Sequence, residues 1–146
     1  MSFQFKNNFA AIREIISEGS RQSVNDTVDE IADDAVSTAP RDKGAMAASI
    51  VAIKEGQDND TARTIAESRA QSLRPDVEFD DGVSFDDFDG EGIHIGAVEV
   101  PVSYAPLIHN GFADRLGRPF LEQAGEGRRD DFRVRLNRNI ADKLNS

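Results

Sequence analysis

The sequence predicts an α+β fold, a small antiparallel β-sheet flanked by a long N-terminal helix and a C-terminal helix. Three observations predict it. Apolar residues recur at three- and four-residue spacing over 7–38, and again over 120–144. Between them lie short, near-alternating apolar runs punctuated by Gly and Pro. At 146 residues the chain has room for one domain. No internal repeat, low-complexity tract or linker divides it, so 1–146 reads as one unit with an acidic insertion at about 56–91.

The elements follow in order. Phe9, Ile12, Ile15 and Ile16 form one apolar stripe of the first helical stretch, and Val24, Val28, Ile31, Ala35 and Val36 form a second. Gly19 and Ser20 lie between them and leave open one long helix or two. Pro40 disfavours helix at Ala39 and ends the pattern. Residues 40–44, PRDKG, form a turn, with Gly44 at positive φ. Ala45 to Ser49 makes a short helical turn. Ser49 to Lys54, with Ile50, Val51 and Ile53, is a strand. QDNDT is a polar loop that carries a helix cap. Ala62, Ile65, Ala66, Arg69 and Leu73 fit a short helix, and an edge strand fits the same stretch.

Residues 76–91 hold eight acids and no base, and read as a solvated loop or hairpin. Gly92 to Val102 is the strongest strand, with Ile93, Ile95, Ala97, Val98 and Val100 in near-alternation before Pro101. SYAPLIHNGF is a turn or short helix closed by Gly111. GRPF opens the last helix, with Pro119 in a first turn where its missing N–H costs nothing. Phe120, Leu121 and Ala124 begin its buried face. Phe132, Leu136, Ile140 and Leu144 continue it at four-residue spacing, and Gly125 and Gly127 loosen it in between.

Charge narrows the function. The formal net charge is −10, from 27 acidic and 17 basic residues. Gripping DNA needs clustered Lys and Arg, and adsorption to anionic lipid needs the same; neither is predicted. The acids are mostly Asp and the bases mostly Arg. That balance suits a surface hydrated at high salt, or reflects genome composition. Residues 113–146 carry eight basic and six acidic groups, whereas the rest of the chain is strongly acidic. The basic end reads as a solvated helix with mixed charges, or as a segment that meets an acidic surface of another copy. With no Cys, disulfides, thiolate metal sites and a Cys nucleophile are excluded. No apolar run approaches the ~18 residues of a membrane span, and MSFQFKNNFAAIREII shows no signal-peptide core.

Positive signs of catalysis are missing. His94 and His109 have no Ser or Asp partner at a recognisable spacing, and read as surface or packed histidines. Asp86, Asp87 and Asp89 precede Gly90 as in a calcium loop. Counted back from Gly90, however, position 1 is Phe85 and position 12 is Gly96, so the EF-hand pattern fails. No phosphate-cradling glycine motif, zinc-protease motif or nucleophile elbow occurs. The acids of 26–33 read as the solvent face of the first helix. The expectation is a non-enzyme with no metal and no cofactor.

Three segments carry the most information: APRDKGAMAASI at 39–50, VSYAPLIHNGF at 102–112 and GRPFLEQA at 117–124. In order and spacing they resemble the gene-product-ten-like neck and tail proteins of lambdoid siphophages, related in pattern to the minor tail protein Z type. Ala39, Pro40, Gly44, Ser49 and Ile50 match the first family element. Tyr104, Ala105 and Gly111 match the second. Pro119, Phe120, Leu121 and Ala124 match the third. The agreement covers 28–140. Lys43 and Met46 depart from the commoner Thr and Leu, and Ile108-His109-Asn110-Gly111 replaces an aromatic-acid-Gly sequence.

The resemblance implies a structural virion protein: a tail terminator or tail completion protein, assembled in the host cytoplasm. It further implies a head-to-tail ring, commonly a hexamer, between the tail tube protein and a head-side connector or stopper, with no membrane. An acidic lumen would let DNA pass without specific binding. Two alternatives fit: another neck or tail component, such as a head-closure or tail tube protein, or an acidic binding module such as a DNA mimic. The motif residues have structural work to do in any case. Pro40 and Gly44 punctuate a helix-to-strand turn, Tyr104 offers an apolar body with a polar tip, Gly111 permits a tight turn, and Pro119 with Phe120 anchors the closing helix.

Overall fold

The structure is a computed structural model that describes residues 2–41, 44–82 and 94–145. The order is α1 (Ser2–Thr38), α2 (Ala45–Ser49), β1 (Val51–Ile53), α3 (Asn59–Leu73), β2 (Ala97–Glu99), α4 (Ala105–Asn110), β3 (Gly111–Phe112), β4 (Arg115–Leu116), α5 (Phe120–Gly127) and α6 (Arg129–Leu144). This is the expected α+β arrangement, a small antiparallel sheet between terminal helices.

The first helix is continuous. At its centre the Ser20 and Ser23 hydroxyls donate to the carbonyls of Ile16 and Gly19, both at 2.7 Å, and so stay within the helix. Gly19 is a point of close approach: a Cβ there would stand 3.0 Å from Ile140 Cγ1 of α6. Beyond Pro40, Gly44 takes φ 79°, a left-handed conformation that costs glycine little, and starts α2. Ser49, fully buried, turns its hydroxyl back to the Met46 carbonyl at 2.7 Å. Ile50 then leaves the helix in an extended conformation. The predicted strand at 49–54 is therefore three residues long, because Ser49 still belongs to α2.

Residues 59–73 are a helix, not an edge strand. Asp58 caps it, accepting from the Thr61 N–H at 3.1 Å and the Thr61 hydroxyl at 2.6 Å. These bonds favour the charged carboxylate and hold its pKa below the ordinary value. The inward face keeps part of the predicted stripe, Ala66 with Ala62 beside it, and adds Ala70. Ala66 and Ala70 are fully buried, while Ile65 and Leu73 point to solvent. Alanines let α3 lie close to α2 and β1, and larger side chains there would hold them apart.

β1 and β2 pair antiparallel, with Val51 opposite Glu99, Ala52 opposite Val98 and Ile53 opposite Ala97. Period two then sorts the faces. Val51, Ile53 and Ala97 pack with Ala62 and Ala66 of α3. Ala52 and Val98 face the main core. Of the predicted 92–102 strand, the described part, 94–102, pairs with β1 over 97–99. Gly92 and Ile93 lie outside the described residues. Gly96 lies where a Cβ would stand 2.4 Å from Val28 Cγ2, so the chain here presses against α1. Past Pro101 the partner changes: Val102 bridges Phe79, with Asp80 N–H on the Pro101 carbonyl and Ser103 N–H on the Glu78 carbonyl. Asp76, Glu78, Asp80 and Asp81 are exposed, as expected of the acidic segment. The rest of that segment, with Asp86, Asp87 and Asp89, lies outside the described residues.

The main core gathers α1, α2, the sheet, α4 and α5. Among the described residues eight of its thirteen buried members are alanine, so the elements approach closely and each of these residues buries little area. Phe120 is the largest side chain among them. Pro119 is the N-cap of α5, not a first-turn residue. The expected single closing helix is two helices, which bend at Arg128 (φ −105°, ψ 1°) just past Gly125 and Gly127. No residue of α6 is fully buried: Phe132, Leu136 and Ile140 are half-buried and Leu144 is exposed, so the predicted buried face is only partly covered. α6 packs chiefly against one neighbour, α1.

Phe120→Ala is expected to lower stability by about 3–5 kcal/mol, read from the midpoint of urea unfolding. A loss below about 1 kcal/mol would mean that the core does not close on this ring.

Candidate functional site

The three motif segments meet around α4. Pro40, Gly44 and Tyr104 line one hollow with Met46, Arg74 and Ile108. Ala105, Phe120 and Leu121 line a second, of about 230 Å³, with His109 and Val100. Ile50, Ala105, Phe120 and Ala124 are buried together, and Leu121 and Tyr104 pack against them. Ser49 is fully buried at the end of α2. Gly111 ends α4 at φ 91°, and Pro119 opens α5. Eleven of the twelve motif residues lie in or beside the junctions of α2, α4 and α5, and the twelfth, Ala39, is buried in the same core.

Local chemistry fixes this cluster. The Arg74 guanidinium sits over the Tyr104 ring, 5.0 Å from its centroid. His109 meets Phe120 edge-on at 5.6 Å, and its Nε2 accepts the Glu122 N–H of α5 at 3.3 Å. Nδ1–H then donates to Asn110 Oδ1 at 2.9 Å, which assigns the tautomer. His109 thus ties α4 to the first turn of α5. Gly117 lies against the end of α4: a Cβ there would meet the Asn110 carbonyl carbon and the His109 oxygen at 2.6 Å. No residue with a side chain fits without moving backbone.

Beside Tyr104 an open groove of about 610 Å³ is lined by Pro40, Leu107, Ile108, Ala113, Leu116 and Arg118. Leu116 is 94% exposed. It stands on the β3–β4 hairpin, whose tip residue Ala113 adopts φ 55°. That conformation strains a residue with a Cβ.

A charged seam joins α1 to α6. Arg128 forks onto Asp34, with Nε to Oδ2 at 2.6 Å and Nη2 to Oδ1 at 2.9 Å, and reaches Glu30 at 3.1 Å. Arg135 donates to Thr27 at 2.7 Å and pairs with Glu30. Asn139 donates to Ser23 at 3.0 Å, and Lys143 stands 3.8 Å from Glu18. The Arg128 hydrogen bonds hold the Asp34 carboxyl below its ordinary value of 3.8 and raise the guanidinium. Glu30 and Asp34 thus face α6, whereas Asp26 and Asp33 are exposed as expected. The acidic surface that the basic C-terminal segment meets lies on its own chain.

A second pair is more buried. Arg63 of α3 forks onto Glu99 of β2, with Nε to Oε2 at 3.0 Å and Nη2 to Oε1 at 2.7 Å. The Glu99 side chain is 6% exposed. Its hydrogen bonds and charge raise the Arg63 pKa.

His94 has partners that spacing did not reveal. Its Nε2 lies 3.0 Å from Ser17 Oγ and its Nδ1 lies 2.9 Å from Glu55 Oε2. The order is that of a Ser-His-acid relay. Ser17, however, sits inside α1, where neighbouring N–H groups already bond to carbonyls four residues back and leave no oxyanion donors. The three residues clasp α1 to the β1–α3 turn. Among the described residues no group of His, Asp and Glu is placed to hold a metal ion, and no helix is long and apolar enough to cross a membrane.

Comparison with family models matches residues 3–111 to the description "Bacteriophage HK97-gp10, putative tail-component". The match runs from α1 to Gly111 and contains the first two motif segments almost whole; GRPFLEQA lies beyond it. No curated protein and no solved structure matches the chain.

Two outcomes are expected. Glu99→Ala removes the forked partner of Arg63, leaving Asp60 at 3.3 Å, and should cost about 3 kcal/mol, while the paired replacement Arg63→Met with Glu99→Leu should recover most of it. Urea unfolding of the three variants checks this. For Asp34, the folded carboxyl titrates below 3.8. Its contribution is therefore complete above the unfolded value and lost as pH falls through the folded one. The difference in Tm between the wild type and Asp34→Asn should be present at pH 7 and vanish at low pH; a constant difference would remove the ion pair as its cause.

Proposed function

Because the chain belongs to the HK97 gp10-like family of phage tail components, we propose that it is a ring-forming tail terminator or tail completion protein. The family match over residues 3–111 carries this reading. The ring, of about six copies, caps the tail tube and joins it to the head-side connector or stopper. The protein acts by shape and surface, not by chemistry on a substrate.

Two physical features support the reading. A subunit of a closed ring presents two different surfaces, one to each neighbour. Among the described residues the chain leaves apolar side chains exposed in several separate places, at Ile12 and Ile16 of α1, at Ile65 and Leu73 of α3, at Leu107, Ile108 and Leu116, and at Val134 and Leu144 of α6. A chain of net charge −10 also suits a conduit, since a negative wall repels the DNA that passes. The exposed acids Asp76, Glu78, Asp80 and Asp81 are candidates for that wall.

Light scattering across salt concentrations, followed by electron microscopy of the same fraction, tests the proposal. A closed ring with a mass near six times 16.0 kDa is expected. Long polymers would assign a tail tube subunit instead. A monomer at every salt, unchanged by added tail tubes, would overturn the ring reading.

A further inference from the structure

We propose that Asn110–Gly111, where α4 passes into the β3–β4 hairpin, is a self-modifying site: the Gly111 nitrogen attacks the Asn110 side-chain amide, and His109 speeds the step. The site is independent of the ring reading and needs only water as a co-reactant.

The residue types make the reaction possible. Asparagine is among the chemically labile residues. A glycine after it has no Cβ, so the attacking nitrogen is unhindered and the peptide between them turns freely. Asn110–Gly111 is the single Asn-Gly pair in the sequence. Its asparagine is exposed and ends a helix of six residues. Gly111 takes φ 91°, so the turn itself favours glycine here.

His109 supplies what the pair alone lacks. Its Nε2 accepts the Glu122 N–H, nitrogen to nitrogen 3.3 Å, a group that can only donate, so Nε2 carries no proton. The proton is on Nδ1, 2.9 Å from Asn110 Oδ1. The same bond fixes the amide: its oxygen, not its nitrogen, faces the ring. The edge-on contact with Phe120 at 5.6 Å holds the imidazole in place. A donor is thus already aimed at the oxygen on which negative charge grows when the amide carbon is attacked.

One bond opposes the step. The Gly111 N–H closes α4 on the Leu107 carbonyl. It is the last bond of a short helix, where fraying costs least, and fraying frees the nitrogen to reach Cγ. Hydroxide from solvent removes the N–H proton, and the N–Cγ bond forms with the charge on Oδ1 held by His109 Nδ1–H. The Cγ–Nδ2 bond then breaks. Ammonia leaves, its proton supplied by water, which restores the hydroxide. Water opens the cyclic imide at either carbonyl, to aspartate or to isoaspartate. Isoaspartate carries an extra carbon in the main chain. The junction has no slack for it, since a Cβ on Gly117 would already stand 2.6 Å from the Asn110 carbonyl carbon. The modification therefore shifts the hairpin, with its exposed Leu116, relative to α4.

Ageing folded wild type and His109→Phe in neutral buffer, then digesting both, tests the proposal. The peptide that holds residues 110–111 is read for the mass gained when an amide becomes a carboxyl, and for isoaspartate with an isoaspartyl methyltransferase. Wild type should be modified first at Asn110. His109→Phe keeps an aromatic ring against Phe120 but has no donor, and should be modified about tenfold more slowly. In urea, where the contact is absent, the two chains should age alike. Equal rates for the two folded proteins would overturn the proposal by removing His109 from the step. Wild type modified in urea but not when folded would overturn it without any variant, because the helix end would then protect the pair.

Discussion

The placement of Arg128 governs much of the C-terminal half. Its guanidinium forks onto Asp34 and reaches Glu30, and so fixes the point where α5 ends and α6 begins. With that bend in place, α6 runs antiparallel along α1, and α5 points Phe120 into the core. Phe120 meets His109, His109 holds the first turn of α5, and α4 is thereby set beside Tyr104. One forked ion pair, 94 residues apart in sequence, thus connects the long helix to the groove.

The second constraint is the poverty of the core. An alanine buries little area, and apolar stabilisation scales with area removed from water. A core made mostly of alanine therefore leans on polar contacts that a richer core would not need. The α1–α6 seam, the Arg63–Glu99 fork and the Ser17–His94–Glu55 clasp each join distant segments through hydrogen-bonded charge. The larger aliphatic residues that might have enriched the core stand outside it, among them Ile12, Ile16, Ile65 and Leu116.

Much of the fold was legible in the sequence. Helical spacing showed the N-terminal helical stretch, though not whether it was one helix or two; QDNDT signalled the cap of α3, Pro40 and Gly44 their turn, and Gly111 the end of α4. Where expectation and structure part, the cause is tertiary. The 92–102 run has alternation enough for a long strand, but Gly96 lies against α1 and Val102 takes Phe79 as its partner, so only 97–99 pair with β1. Helical spacing put Ala62, Ile65, Ala66, Arg69 and Leu73 on the stripe of α3. Ala66 is buried as that stripe implies, but close approach to α2 and β1 takes in Ala70 and leaves Ile65 and Leu73 exposed.

The sequence by itself determined the class of fold, the acidity, and a motif order that points to the phage family, because periodicity, charge and the spacing of Pro and Gly are local properties. It could not determine which charges meet. Glu30 read as solvent-facing among so many acids, and only the course of α6 turns it inward, with Asp34 beside it. His94 had no partner nearby in sequence, since Ser17 and Glu55 lie 77 and 39 residues away. The groove belongs to the same class: Pro40, Tyr104 and Leu116 come from three segments, and packing around Phe120 brings them to one place. A contact between distant segments depends on how helices cross and where they bend, and tertiary packing alone decides both.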